Sequence, residues 1–246
     1  VDTDISSNIT TTGLVLDSLD GTNGIKLNGI NADDLSSSIS NLGDVNGDGL
    51  EDFIIGAGNA DPNGLSKAGQ AYVIFGNTNF SSPIELSSLD GNNGFTINGI
   101  TTGDSFGSKV GSAGDINGDG FADIIIGAND ASPNALDDAG QSFVIFGSSS
   151  FSSTLEASAL NGSNGFILNG AAADDDLGEF VTSGDINGDG LSDLIMGAKN
   201  ITVNGNDDAG GVVVVYGKTS SFTSSIDVSS LTVNDGFVIH GINVND

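Results

Sequence analysis

The amino-acid sequence predicts an all-β fold of propeller blades: three four-stranded repeats that make an incomplete ring within one chain. Three observations carry this prediction. A nine-residue pattern recurs at spacings of 71 and 70 residues, and each occurrence is followed by the same succession of short apolar segments. Gly numbers 38 of 246 residues against three Pro, so turns are frequent without the composition of a low-complexity tract. A small twisted sheet cannot bury both of its apolar faces alone, and stacking copies of it side by side does. A two-layer sandwich is the alternative, but it does not call for such regular copies of a small-residue strand.

Each copy reads as four strands. The first is rich in small residues, Ser36 to Gly43, Gly107 to Gly114 and Gly178 to Gly184, and suits a crowded innermost position. The second, Phe53-Ile54-Ile55, Ile124-Ile125-Ile126 and Leu194-Ile195-Met196, is too short for a helix and apolar on both faces, as a strand between two layers should be. The third is β-branched and aromatic and ends in aromatic-Gly: Tyr72 to Gly76, Phe143 to Gly147, Val212 to Gly217. The fourth alternates apolar and polar, as in Phe95-Thr96-Ile97-Asn98, and is expected at the outer edge with one wet side. Its signature occurs four times, from Gly24, Gly94, Gly165 and Gly236. Residues 1–23 are therefore a lead-in, 24–34 an extra outer strand, and 35–100, 101–171 and 172–246 the three blades. No amphipathic helix is expected; the Ser-Leu-Asp-Gly connectors at Ser18 and Ser88 suit a single turn.

The nine-residue pattern is the strongest chemical signal. In the first copy side-chain oxygens fall at positions 1, 3, 5 and 9 (Asp44, Asn46, Asp48, Asp52), Leu50 offers a carbonyl at position 7, and Gly49 permits the sharp turn. The second copy supplies Asp115, Asn117, Asp119, Phe121 and Asp123, the third Asp185, Asn187, Asp189, Leu191 and Asp193. Hard oxygen donors at this spacing wrap a calcium ion, while magnesium prefers fewer protein ligands and strict octahedral geometry. Three Ca2+ sites are expected. Without a cation each loop crowds three carboxylates together. Asp, Asn and Gly also make tight turns unaided, but three intact copies favour the metal. An EF-hand is excluded, because position 12 is Ile55, Ile126 or Met196 and not a bidentate Glu.

The order Phe106-Gly107, the Asp115 to Asp123 loop, Ile124 to Ala128 and Gln141 to Gly147 resembles the FG-GAP repeat found in integrin α propellers and in bacterial surface or secreted proteins. The resemblance runs from about Gly24 to Asp246. It implies blades of a propeller, usually of seven, with calcium between the first two strands of a blade and a role in adhesion or recognition. Phe-Gly itself is kept at Phe106-Gly107, becomes Leu177-Gly178, and is Leu35-Ser36 in the first copy.

Composition limits the function. With 33 acidic residues, five Lys, no Arg and a formal charge of −28, the chain has no basic patch for nucleic acid and no polybasic membrane anchor. Cys is absent, which excludes thiol chemistry and zinc-thiolate sites, and no apolar run is long enough to insert into a membrane. His240 takes the place held by Asn28, Asn98 and Asn169 in sister segments, so it reads as a substituted repeat position. Asn8, Asn79, Asn161 and Asn200 begin glycosylation sequons.

No catalytic residue is expected. The reading is a non-enzymatic, calcium-stabilised module of an extracellular or cell-surface protein, serving adhesion, matrix or assembly. The alternatives are a lectin, disfavoured by the absence of Trp, and an accessory propeller of a larger secreted enzyme. The variable loops Asp61 to Gly69, Ser132 to Gly140 and Val203 to Gly210 lie at the strand ends opposite the calcium loops and are the candidate face for a protein or glycan ligand. Three blades are fewer than a closed propeller uses, so head-to-tail self-association or further blades of the same protein are expected, with Ile54, Val73, Ile195 and Val214 near the contact.

Overall fold

The computed structural model describes residues 18–31, 38–201 and 209–243. The chain divides into two compact units. In one of them β1 (Leu27–Asn28) and β5 (Ile84–Glu85) pair in parallel, Leu27 opposite Ile84 and Asn28 opposite Glu85.

The other unit holds three sheets. The first contains β2 (Ser38–Gly43), β3 (Asp52–Ala57), β4 (Gln70–Ile74) and β6 (Gly94–Asn98), successive neighbours antiparallel. The second repeats it with β7 (Lys109–Gly114), β8 (Asp123–Ala128), β9 (Gln141–Ile145) and β11 (Gly165–Asn169). The third has β12 (Leu177–Gly184), β13 (Asp193–Ala198), β14 (Gly211–Val215) and β16 (Gly236–His240). All three belong to blades, and among the described residues no closed ring forms. Residues 36–37 of the first inner strand, Leu35 before it and most of the loop 203–210 lie outside the described residues, as do the Asn8 sequon and most of the lead-in.

The small residues of the inner strands have the role expected of them. Strand β7 lies against β2, and β12 against β7. Ser112 Oγ donates to the Leu42 carbonyl and Ser183 Oγ to the Ser112 carbonyl, both at 2.8 Å, so each inner strand is bonded to the one before it. A Cβ on Gly127 would stand 2.2 Å from the Gly178 carbonyl oxygen. Backbone therefore packs on backbone between blades. Ile124, Ile125 and Ile126 are fully buried, as befits a strand covered on both faces.

One expectation is corrected. Blades one and two have five strands, not four, because the connector between the third and fourth strands of the following blade adds a short parallel strand on the outer side of each outer strand: β10 (Thr154–Glu156), which follows β9, on β6, and β15 (Ser225–Asp227), which follows β14, on β11. The predicted wet side is consequently covered, and Asn98 and Asn169 are only 6% and 7% exposed. Of the four residues expected near an assembly contact, Ile54, Val73 and Val214 are buried and Ile195 is half-buried. The exposed large apolar groups of the sheets are instead Ile39 of β2 and Phe180 and Ile239 of the third blade.

Candidate metal loops

Each nine-residue loop joins the first two strands of a blade, and its turn is drawn by its own side chains. Asp115 Oδ1 accepts the backbone N–H of Gly118 at 2.7 Å and of Asp119 at 3.1 Å, and Oδ2 accepts that of Gly120 at 3.0 Å. Asn117 Oδ1 accepts from Asp119 N at 2.8 Å, and Asp119 Oδ1 from Phe121 N at 2.9 Å. Asn117 Nδ2 donates to Asp119 Oδ2 at 2.9 Å. The same six bonds occur around Asp44, Asn46 and Asp48. They recur around Asp185, Asn187 and Asp189. Gly49, Gly120 and Gly190 have φ near +90°, which a residue with a Cβ would strain to adopt.

Position 9 differs from the others. Asp52, Asp123 and Asp193 are buried, each held by backbone donors from two different segments. For Asp123 these are Ile116 N at 2.9 Å and Gly147 N at 2.8 Å; for Asp52, Val45 N at 2.9 Å and Gly76 N at 2.7 Å; for Asp193, Ile186 N and Gly217 N, both at 2.9 Å. This carboxylate ties the loop to the end of the third strand. Burial pushes the Asp123 carboxyl up to about 7, against two backbone donors that pull it down, with Asp119 and Asp115 adding to the rise. Asp52 is raised for the same reasons.

Position 7 has a second role besides its carbonyl. A Cβ on Gly47 would meet the Phe121 ring at 2.5 Å, and one on Gly118 would meet Leu191 at 3.1 Å, so the position-7 side chains of the second and third loops cap the loop of the preceding blade. The loops are also joined by backbone: Ala122 N donates to the Asp44 carbonyl, Ser192 N to Asp115, Ser148 N to Val45 and Lys218 N to Ile116. The three loops thus form one bonded row.

The donor set of each loop is all oxygen and anionic, which suits a hard cation. Among the described residues no three acidic or imidazole side chains gather into a cluster able to hold a metal by themselves, so any ion would draw also on the Asn oxygen and the position-7 carbonyl. The fifteen predicted residues are brought together in three separate groups, as their spacing requires.

At the opposite strand ends, the variable loops carry 3-10 turns at Pro62–Gly64 and Pro133–Ala135. Carboxylates gather here as well. Asp104 is pushed up to about 6 by burial, opposed by a hydrogen bond from Thr101 and helped by Asp130. Lys199 Nζ stands 3.3 Å from Asp176 and 3.8 Å from Glu179.

Sequence reasoning missed a polar ladder at the outer strands. Gln70 Nε2 donates to Asn98 Oδ1 at 2.7 Å, Asn98 Nδ2 donates to Glu156 Oε1 at 2.7 Å, and Asn63 reaches the other Glu156 oxygen at 3.3 Å. In the next blade Gln141, Asn169 and Asp227 do the same, with Asn134 as the additional donor. The legible signal was an acid after an apolar residue in each Ser-rich connector: Glu85, Glu156 and Asp227.

Comparison with known proteins agrees with these units. The FG-GAP repeat model matches residues 37–74, 106–145 and 177–215. Phosphatidylinositol-glycan-specific phospholipase D from Bos taurus is 28% identical over 214 residues, covering 82% of this chain and 24% of the relative. The Homo sapiens protein of that name is 26% identical over 214 residues with the same coverage, and the Dictyostelium discoideum one is 28% identical over 184 residues, 70% of this chain and 19% of the relative. The chain spans about a quarter of the length of these first two relatives.

Proposed function

Because the chain belongs to the FG-GAP repeat family, we propose that it is a calcium-stabilised, non-enzymatic propeller module that works outside the cell or at its surface, in adhesion, matrix or assembly. The observation that supports this best is the triplication of one oxygen-rich loop, bond for bond, with a buried carboxylate at position 9 each time. In each loop Asp, Asn and the position-7 carbonyl would hold the ion, and the ion would offset the mutual repulsion of the three carboxylates. Millimolar calcium outside cells matches the affinity of about 10⁻⁴ to 10⁻³ M usual for extracellular modules. The loops are bonded in a row, so fixing them would hold blade against blade and present the opposite loops rigidly.

A second reading is an accessory propeller of a larger enzyme. The observation in its favour is that the relatives named as phospholipases are about four times longer than the matched region. Head-to-tail association or further blades would cover the exposed apolar groups on the third sheet, where Phe180 is 69% exposed. Calorimetric titration with calcium and with magnesium, alongside thermal melts in chelator, tests the leading reading. It expects calcium-selective binding at three sites and a lower melt in chelator. No heat of binding and an unchanged melt would overturn it.

A further inference from the structure

The connector segments do more than link blades. In blade one the rings of Phe75 and Phe95 receive Phe151, which stacks on Phe95 at 4.3 Å with planes 8° apart. In blade two Phe146 and Phe166 receive Phe222, stacked on Phe166 at 4.4 Å and 5°. Two residues after the ring a carbonyl accepts from the outer strand: Ser153 O from Thr96 N, and Ser224 O from Ile167 N, both at 3.0 Å. The next apolar residue falls opposite the outer strand's buried aliphatic, Leu155 opposite Ile97 and Ile226 opposite Leu168. The acid that follows accepts from the outer-strand Asn: Glu156 from Asn98 and Asp227 from Asn169. The unit holding β1 and β5 repeats the last of these contacts, with Asn28 Nδ2 donating to Glu85 Oε1 at 2.7 Å. One segment chemistry, Phe-(Ser/Thr)-Ser-x-(Ile/Leu)-(Asp/Glu), is thus read at four points.

Blade three has the reading groups and, among the described residues, no strand on the outer edge of β16. Tyr216 and Phe237 stand 6.0 Å apart in the positions of the receiving pair, each half-buried where their counterparts are buried. Val238 supplies the backbone position of Thr96 and Ile167. Ile239 is 54% exposed, whereas Ile97 and Leu168 are fully buried. His240 replaces the Asn, and its ring N–H donates to a carboxylate as an amide does. Strand β16 is otherwise seated like its sisters: Gly241 N donates to the Gly210 carbonyl at 2.8 Å, as Gly99 N does to Gly69 and Gly170 N to Gly140.

We propose that the outer edge of β16 is a docking site for an extended segment of this connector chemistry, taken from another FG-GAP-type repeat. The segment adds as a parallel strand. Its aromatic ring lies on Phe237 and Tyr216, its carbonyl accepts from Val238 N–H, its aliphatic residue covers Ile239, and its carboxylate accepts from His240. Main-chain bonds supply affinity and the side chains supply selection, as in other cases of strand addition.

The probe is a labelled peptide with the sequence of residues 149–158, titrated by fluorescence anisotropy against the dilute chain in millimolar calcium. Saturable binding at one site is expected, with a dissociation constant of about 10–100 μM, since ordering a short free segment weakens it. The peptide variants Phe151→Ala and Glu156→Gln are each expected to bind roughly tenfold more weakly. In the chain, Ile239→Lys at an exposed position is expected to weaken binding to a similar degree without moving the melt, while His240→Asn keeps it. Failure of the peptide to saturate a folded chain, or equal binding of a peptide with the same residues in scrambled order, overturns the proposal. Neither outcome bears on calcium, which is measured separately.

Discussion

Substituting alanine for the penultimate residue of the second strand, a glycine in each blade, tests the stacking of blades directly, because the three copies make different predictions. Gly56, Gly127 and Gly197 occupy one repeat position, and none of them needs a left-handed backbone. A Cβ at Gly56 would lie 2.0 Å from the Gly107 carbonyl oxygen, and one at Gly127 would lie 2.2 Å from that of Gly178. At Gly197 the nearest atom is 3.2 Å away and belongs to the exposed side chain of Phe180. In the first two cases a backbone oxygen of the next blade must retreat by roughly 1 Å, and forcing extra carbon into a packed contact of this kind costs about 1–3 kcal/mol. A domain of this size loses about 2–4 °C of Tm per kcal/mol, so Gly56→Ala and Gly127→Ala should each lower the melt by about 3–10 °C. Gly197→Ala should stay within about 2 °C of the parent, because its nearest contact, the Phe180 Cβ at 3.2 Å, needs only a slight give from an exposed residue and alanine lowers the entropy of the unfolded chain. Differential scanning calorimetry in calcium reads all three. A neutral Gly127→Ala would refute backbone packing between blades. A Gly197→Ala as damaging as Gly127→Ala would mean that the third sheet is covered in solution by another blade or a second copy.

Asp119→Ala should lower the melt in calcium by more than it does in chelator, measured by paired thermal scans; equal losses would assign the carboxylate to the turn alone. Asp104→Asn should stabilise the chain above pH 6. The carboxyl sits at about 6 in the fold against 3.8 when free, so as pH rises from about 4 through 6 the folded state holds a proton the unfolded state has released, and stability falls. The difference between variant and parent should grow to roughly 1–3 kcal/mol over that window and vanish below it, as followed by urea melts across pH. Glu156→Ala removes the acceptor of Asn98 and Asn63 and should cost about 1–2 kcal/mol by the same assay, whereas Glu156→Gln should recover part of the loss.

The parts of the fold that follow from local pattern were legible in the sequence. Small residues in β2, β7 and β12, unbroken aliphatic triplets in β3, β8 and β13, and the fixed spacing of Asp and Asn in the loops each reflect a constraint met within a few residues. The parallel strands β10 and β15 were not legible in that way. Ser-Ser-Thr-Leu-Glu carries too few apolar residues to read as a strand, and it becomes one only because Thr96, Ile97 and Asn98 lie beside it with an open edge. The position-7 residues were read for their carbonyls, while the packing of Phe121 on Gly47 and of Leu191 on Gly118 depends on the next blade and has no local signature. His240 was read as a substituted Asn, which its place in β16 bears out.

The offset between the repeat in the sequence and the sheet in space sets how such an array can change length. The outer strands β6 and β11 are completed by residues that belong, in chain order, to the following copy. A duplication of 70 or 71 residues anywhere in the middle therefore supplies one new acceptor edge together with one new donor segment, and the number of unmet edges is unchanged. Interior copies are interchangeable in this respect whatever their count, and only a terminal edge needs residues of its own.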